Sequence, residues 1–375
     1  TRDEAAGCAA LIAIADLPDD ADIPPMETIT GQNTWRSYAN EAGQITDSRI
    51  TERSVDAQRS QSILPEDDET LLAVSAVTEE DLTTLAPTIP TDVAAEVESI
   101  DPTLDDDLAE WDAGGARPRL SVLGPVVART GSGGNAQAVV RRKPYYTELL
   151  AYLASRPNGA TTDQVAAAMN IDTKRVRRDL SILRDWLGVD AATGQPHIPE
   201  ATKSNAAKLL GCGAYEVNGL LYDADLFRRL RVRGEARGAA GLPDLTKALA
   251  LVNGRPFDEV RSGGGSWLVD QSLPHYLTVA VVDVAHLVTT ISLARGNHRV
   301  ARAATETAIL AAPHEQIPRL DLAAVAAAEG LSSEAKLIAQ TTLDGDGDEP
   351  PLEVSRRAGE IVARHRWLVD DAQAS

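Results

Sequence analysis

Apolar residues recur at three- and four-residue steps across residues 143–187, and breaks in the pattern divide it into three helices. Pro144 suits a first helical turn, while Arg156-Pro157-Asn158-Gly159 supplies a proline and a glycine that stop it. The first helix is therefore predicted over about 144–155. Thr161 offers a hydroxyl cap with Gln164 three residues on, and Val165, Ala166, Ala168 and Met169 make a short apolar helix ending near Asn170. Asp172 or Thr173 caps the third helix, where Val176, Leu180, Leu183 and Leu187 form one stripe for burial. Lys174, Arg177, Arg178 and Ser181 fall on its other faces.

Strand-like runs flank these helices. Residues 120–129 and 138–141 read as strands joined by the loop Gly131-Ser132-Gly133-Gly134, and residues 197–199 and 215–218 read as a second hairpin. A short turn between the second and third helices, with strands on both sides, gives a winged helix-turn-helix over 119–222. Four cations in five residues, Lys174, Arg175, Arg177 and Arg178, occupy the amino-terminal half of the third helix, the half that enters a major groove in such modules. Cations also populate the solvated face of helices that never meet DNA.

From residue 223 onward the pattern is helical. Segments 225–237, 242–252, 275–294, 298–311, 315–329, 333–343 and 352–369 are separated by glycine, proline or both. Alanine dominates the fourth and fifth of these, which lets antiparallel helices approach closely. No strict 34-residue period is visible. The fold class is thus mainly α, a winged helix-turn-helix with small β hairpins followed by a helical domain over 223–375.

Several pieces resemble, in order, landmarks of the actinobacterial antibiotic-regulatory type of transcriptional activator. They are Leu-Gly-Pro (123–125), Glu-Leu-Leu-Ala-Tyr-Leu-Ala (148–154), Leu-Ser-Ile-Leu-Arg-Asp-Trp-Leu-Gly (180–188), Tyr215 and Asp-Ala-Asp-Leu-Phe (223–227). The segment 248–256, then Trp267, residues 294–296, Ala303, Pro313, Glu315 and Gly330 resemble successive landmarks of that family's bacterial transcriptional activator domain. The resemblance covers about 250 residues and implies tetratricopeptide-like packing after the winged helix, with Trp267 opening the second helical pair. The chain departs from the family at residues 200–214, longer than a usual wing, and in having only two or three helix pairs after Phe227 with no ATPase module behind them. Membrane-anchored relatives carry the same two modules at the cytoplasmic end of a long chain.

Charge is unevenly spread. Residues 1–118 hold 6 basic and 27 acidic residues, a net −21 against −20 for the whole chain, so the remainder is near neutral at +1. The sequence pI of about 4.7 therefore does not exclude nucleic acid, although it excludes a generally basic, DNA-coating protein. The acidic third, with Trp35, Tyr38 and Trp111 as its aromatics, reads as a largely irregular linker apart from a short helix over 3–16. Its carboxylates are candidates to cover Arg175, Arg177 and Arg178 in place of phosphates. A chain starting at Thr1 rather than Met is expected of the carboxy-terminal portion of a longer polypeptide, as in the membrane-anchored relatives.

No enzymatic chemistry is expected. Cys8 and Cys212 lie far apart and suit a reducing cytosol, the six histidines lack paired-ligand spacing, and His286 reads as a core residue. The glycine runs at 131–134 and 263–265 lack a phosphate-cradling ending, and Asp344-Gly-Asp-Gly-Asp348 lacks calcium-loop spacing. No cofactor or metal is expected. The longest apolar stretch, 277–293, is interrupted by Asp283 and His286, so no membrane segment is expected and the localisation is read as cytoplasmic, with any tether outside this chain.

Two functions compete. In the first, a transcription regulator binds duplex DNA through Arg141, Arg142, Lys143, Thr173, Lys174, Arg175, Arg177, Arg178 and Ser181, and its helical domain dimerises or contacts a protein partner. In the second, the chain is a cytosolic protein–protein adaptor without DNA binding, favoured by the missing start, the acidic region and the overgrown wing.

Overall fold

Arg119–Ser121 (β3) and Val127–Arg129 (β4) pair antiparallel across the Leu123-Gly124-Pro125 turn, with Leu120 opposite Ala128. The computed structural model describes residues 35–38, 45–48 and 91–344, so the helices expected over 3–16 and 352–369 lie outside the described residues. Among the described residues the fold is mainly helical. A separate hairpin, Trp35–Tyr38 (β1) with Ile45–Ser48 (β2), lies within the acidic third.

Two short helices, Thr91–Ile100 (α1) and Leu104–Ala113 (α2), lead into β3 where the composition reads as irregular linker. Leu104 and Leu108 join the main core, which explains why an acidic segment is held here. The next helix trio follows the sequence closely: Lys143–Ala154 (α3), Thr162–Met169 (α4) and Thr173–Leu187 (α5). Thr161 and Gln164 form a complete capping box on α4, Asn170 ends it in the left-handed region, and Asp172 caps α5. Each such cap contributes about 1 kcal/mol and fixes where a helix starts.

Three strand expectations are corrected. Residues 120–129 are not one strand: Gly124-Pro125 turn the chain, so that β3 and β4 pair with each other. Residues 138–141 belong to a 3-10 turn, Ala136–Arg142, because the Asn135 side chain accepts the Gln137 N–H and starts a helical turn instead of an extended run. Residues 197–199 and 215–218 do not pair as a hairpin. Arg184 of α5 donates to the Ile198 and Pro199 carbonyls, the His197 N–H donates to the Gly188 carbonyl, and of these backbone groups only the His197 carbonyl meets the other segment, accepting the Asn218 N–H. Ala214–Tyr215 (β6) pairs with Ala160–Thr161 (β5), and Leu221–Tyr222 (β7) adds parallel to β3. The long stretch 200–214 contains a helix, Asn205–Leu210 (α6), whose first N–H groups are received by the buried Glu216 carboxylate and by Ser204.

Asp223–Ala236 (α7), Leu242–Leu249 (α8), Ser266–Gln271 (α9), Leu273–Ala294 (α10), His298–Ala311 (α11), Gln316–Ala328 (α12) and Ser332–Asp344 (α13) complete the chain, and α10 to α13 each pack on the next. α9, carrying Trp267, falls outside the segments read from periodicity, although the family resemblance implied a helix opening at Trp267. One hydrophobic cluster runs from Leu104 through α3, α5 and α7 to Ala311, so the two halves share a core. The backbone joins them too: the Asn253 N–H donates to Leu123 O at 2.6 Å, Phe257 N–H to Val122 O at 2.7 Å and Asp258 N–H to Gly124 O at 3.1 Å. Gly124, at φ 151°, and Gly254 face each other here, and a Cβ on Gly124 would sit 2.9 Å from the Asn253 carbonyl carbon. That approach is a physical reason for glycine in both the Leu-Gly-Pro and Asn-Gly-Arg-Pro segments.

Candidate nucleic-acid interface

α5 turns by about 100° per residue, which separates its side chains into two arcs. Val176, Asp179, Leu180, Leu183, Trp186 and Leu187 lie on one arc and are buried. Thr173, Lys174, Arg177, Arg178 and Ser181 lie on the other, and all five are exposed. Lys174, Arg177 and Arg178 form no ion pair with another described residue. Their charge therefore faces solvent uncompensated within the described structure.

Arg175 and Arg142 are placed differently from the rest of the expected set. Both turn toward the Asp179 carboxylate, whose side chain is 3% exposed: Arg175 Nε lies 3.3 Å from one oxygen and Arg142 Nη1 3.5 Å from the other. The same oxygens accept the hydroxyls of Tyr145 at 2.7 Å and Tyr146 at 3.2 Å. The Arg142 guanidinium also stands 4.1 Å from the Tyr145 ring centre, within cation–π range. Burial first and Asp179 second push the Tyr145 hydroxyl far above the usual tyrosine range, so it remains a donor. Arg141 and Lys143 are exposed where the 3-10 turn meets α3.

The nine expected residues thus divide into an outward stripe of five, a buried-carboxylate pair of two, and two exposed cations at the start of α3. Sequence reasoning missed what organises the pair: Asp179, Tyr145 and Tyr146, and beside them Glu148 and Arg261. Glu148, 2% exposed, accepts the Arg261 Nε–H, the Gly265 N–H at 2.6 Å and Trp267 Nε1–H at 3.3 Å. The available signal was helical spacing, since Asp179 falls on the apolar arc of α5, where a charge demands partners.

The acidic helices α1 and α2 do not cover the stripe. Asp101 and Asp107 pair with Arg229, Asp105 with Arg233, Glu98 with Arg237 and Asp112 with Lys247, so their carboxylates meet the arginine-rich face of α7 and its continuation. The screening of Arg175, Arg177 and Arg178 expected of the acidic third is therefore not made by these two helices.

Other candidate chemistry falls elsewhere. His286 is buried on α10 with Nδ1 2.7 Å from Asp321, a core pair. Cys212 is exposed on the loop after α6. Among the described residues no group of three His, Cys, Asp or Glu is placed to hold a metal ion. α10 is long and apolar enough by length and composition to cross a membrane, yet 72% of its apolar window is buried against the other helices. No protein-family model matches the chain, and no curated protein matches it.

Proposed function

We propose that this chain is a DNA-binding transcription regulator of the winged-helix type, with a tetratricopeptide-like helical domain for self-association or partner contact. The observation that carries the reading is the exposed stripe of Thr173, Lys174, Arg177, Arg178 and Ser181 on a helix whose opposite arc is buried by its neighbours. A rigid helix presenting cations and short hydroxyls on one face is what major-groove docking requires: the cations contact phosphates or guanine edges, and the hydroxyls contact either. The short turn between α4 and α5 and the β3–β4 hairpin support the same module. Resemblance to the antibiotic-regulatory activators supports it further through the contact between the Leu-Gly-Pro turn and the Asn-Gly-Arg-Pro segment, two separate landmarks that meet in space. Exposed Leu310 and Leu337 on α11 and α13, with Leu331 just before α13, support a protein contact there.

One observation favours the adaptor reading instead. α6 stands where a wing is expected and exposes Leu209 and Leu210, apolar side chains ill suited to a phosphate backbone. Duplex binding across a salt series, with Lys174, Arg177 and Arg178 changed together to Ala, separates the two. Salt-dependent binding that weakens in the triple variant supports the regulator, and its absence leaves the adaptor.

A further inference from the structure

Three guanidinium groups converge on the ring of Tyr145. The central carbon of Arg142 lies 4.1 Å from the ring centre, that of Arg261 5.4 Å and that of Arg175 5.7 Å. They come from three separate places: the end of the 3-10 turn, the start of α5, and the loop between α8 and α9 in the helical half. Like charges gathered this closely repel, and among the described residues only two carboxylates, Asp179 and Glu148, pair with them. The cluster therefore keeps an excess positive charge. Asp179 is also substantially satisfied by the two tyrosine hydroxyls, at shorter distances than its arginines. Arg142, Arg175 and Arg261 have side chains 40%, 44% and 26% exposed, so each keeps donors open to solvent. Arg261 is bound to Glu148 through Nε, which leaves both terminal nitrogens without a described partner.

We infer that Arg142, Arg175 and Arg261 form a clamp for one backbone phosphate of duplex DNA, beside the outward stripe of α5, with Arg261 bringing the helical half into the interface. The inference rests on the DNA-binding reading above and adds a residue and a contact to it. Helical geometry places Arg175 next to Arg178 at the edge of the exposed arc, so the clamp is continuous with the stripe. Guanidinium forks match a phosphate's paired oxygens, and a fork held on an aromatic ring loses less freedom on binding. Glu148 and Tyr145 are positioning residues: one fixes the direction of Arg261 and the other carries the three guanidiniums. A phosphate contact carries no base information, so Arg261 contributes affinity and salt dependence without contributing sequence preference.

The test uses the full chain and several duplexes of unrelated sequence, titrated by fluorescence anisotropy across a salt series, for wild type, Arg261→Gln, Arg261→Lys and the stripe variant Lys174→Ala/Arg177→Ala/Arg178→Ala. The clamp predicts that R261Q weakens every duplex by a similar factor, on the order of tenfold, and reduces the log–log salt slope by about one. R261K keeps the slope near wild type and loses part of the affinity, because it keeps the charge without the fork. Should R261Q unfold, Glu148→Gln/Arg261→Gln takes its place on the affinity readout, since removing both partners leaves no buried charge alone and keeps the net charge of the cluster: similar weakening on every duplex supports the clamp, and wild-type affinity overturns it. If the stripe variant lowers the slope but R261Q leaves it at the wild-type value, Arg261 is only a strut for Glu148 and the clamp is wrong. If wild type itself shows no salt-dependent binding, the DNA reading fails and the clamp fails with it.

Discussion

The Asp179 carboxylate receives the Tyr145 hydroxyl at 2.7 Å, so the helix that displays the cations outward is fastened to α3 from its inner side. Asp179→Ala removes the acceptor for two buried hydroxyls and the partner of two arginines. Leaving such donors unsatisfied costs roughly 2–4 kcal/mol. Urea unfolding of D179A is expected to show a loss of that size, and a change within about 0.5 kcal/mol, as at an ordinary surface site, would show that Asp179 holds nothing together.

Asp223 gives a pH prediction. It is fully buried at the start of α7 and accepts the Val122 and Leu123 N–H groups at 2.9 and 3.0 Å. Burial outweighs those donors and pushes its carboxyl up to about 7, from 3.8. A raised folded-state pKa means that the folded protein binds the extra proton between about pH 4 and 7. The stability this provides is present below about pH 4 and lost as pH rises through about 7. Melting temperatures of wild type and D223N across that window should converge, or wild type should fall below the variant, as pH rises. A wild-type advantage that grows with pH would mean that the N–H donors win and the carboxylate stays ionised.

Arg229 ties the acidic helices to the helical half through Asp101 and Asp107, both at 2.7 Å, with its own side chain 9% exposed. Arg229→Ala leaves Asp101 without its cation and Asp107 with Arg117 alone, at a cost of roughly 1–3 kcal/mol after allowance for their partial exposure. Limited proteolysis should cut faster at Gly114-Gly115 in the variant, and more so at high salt. Equal cutting in both proteins would show that Arg229 is dispensable and that Leu104, Leu108 and the remaining ion pairs of Arg233, Arg237 and Lys247 hold α1 and α2.

Gly124→Ala is expected to destabilise by roughly 1–3 kcal/mol, because φ 151° is strained for a side chain and the new Cβ meets the Asn253 backbone at 2.9 Å. Thermal unfolding checks it. No loss would mean that the two halves do not depend on this contact.

The helices of the candidate interface were legible because their limits are written locally. Thr161 with Gln164, Asn170 and Asp172 all act within three residues of a helix end, and the Val176, Leu180, Leu183, Leu187 stripe sits where its spacing places it. The strands were less legible because their partners are distant. Ala160 pairs with Tyr215, and carbonyls at 198 and 199 are claimed by an arginine of α5, neither of which a run of apolar residues announces. Residues 138–141, with two adjacent valines, read like a strand, yet the side chain of Asn135, one turn earlier, decides for a helical turn. The division of the cations was hidden for the same reason. Arg175 and Arg177 are equal in sequence, and only the meeting of Asp179 with two tyrosines more than 30 residues away draws the first inward. Arg261 lies 113 residues from its partner Glu148, beyond the reach of any local pattern.

The central claim is that the outward stripe of α5 binds duplex DNA, and duplex affinity measured across a salt series for wild type and K174A/R177A/R178A tests it most directly. Wild type should weaken steeply with salt, with a log–log slope of about −0.9 for each phosphate neutralised. The variant should bind more weakly, with a slope shallower by about one for each cation that meets a phosphate. Equal slopes and equal affinities in the two proteins, or no salt-dependent binding in either, would contradict it.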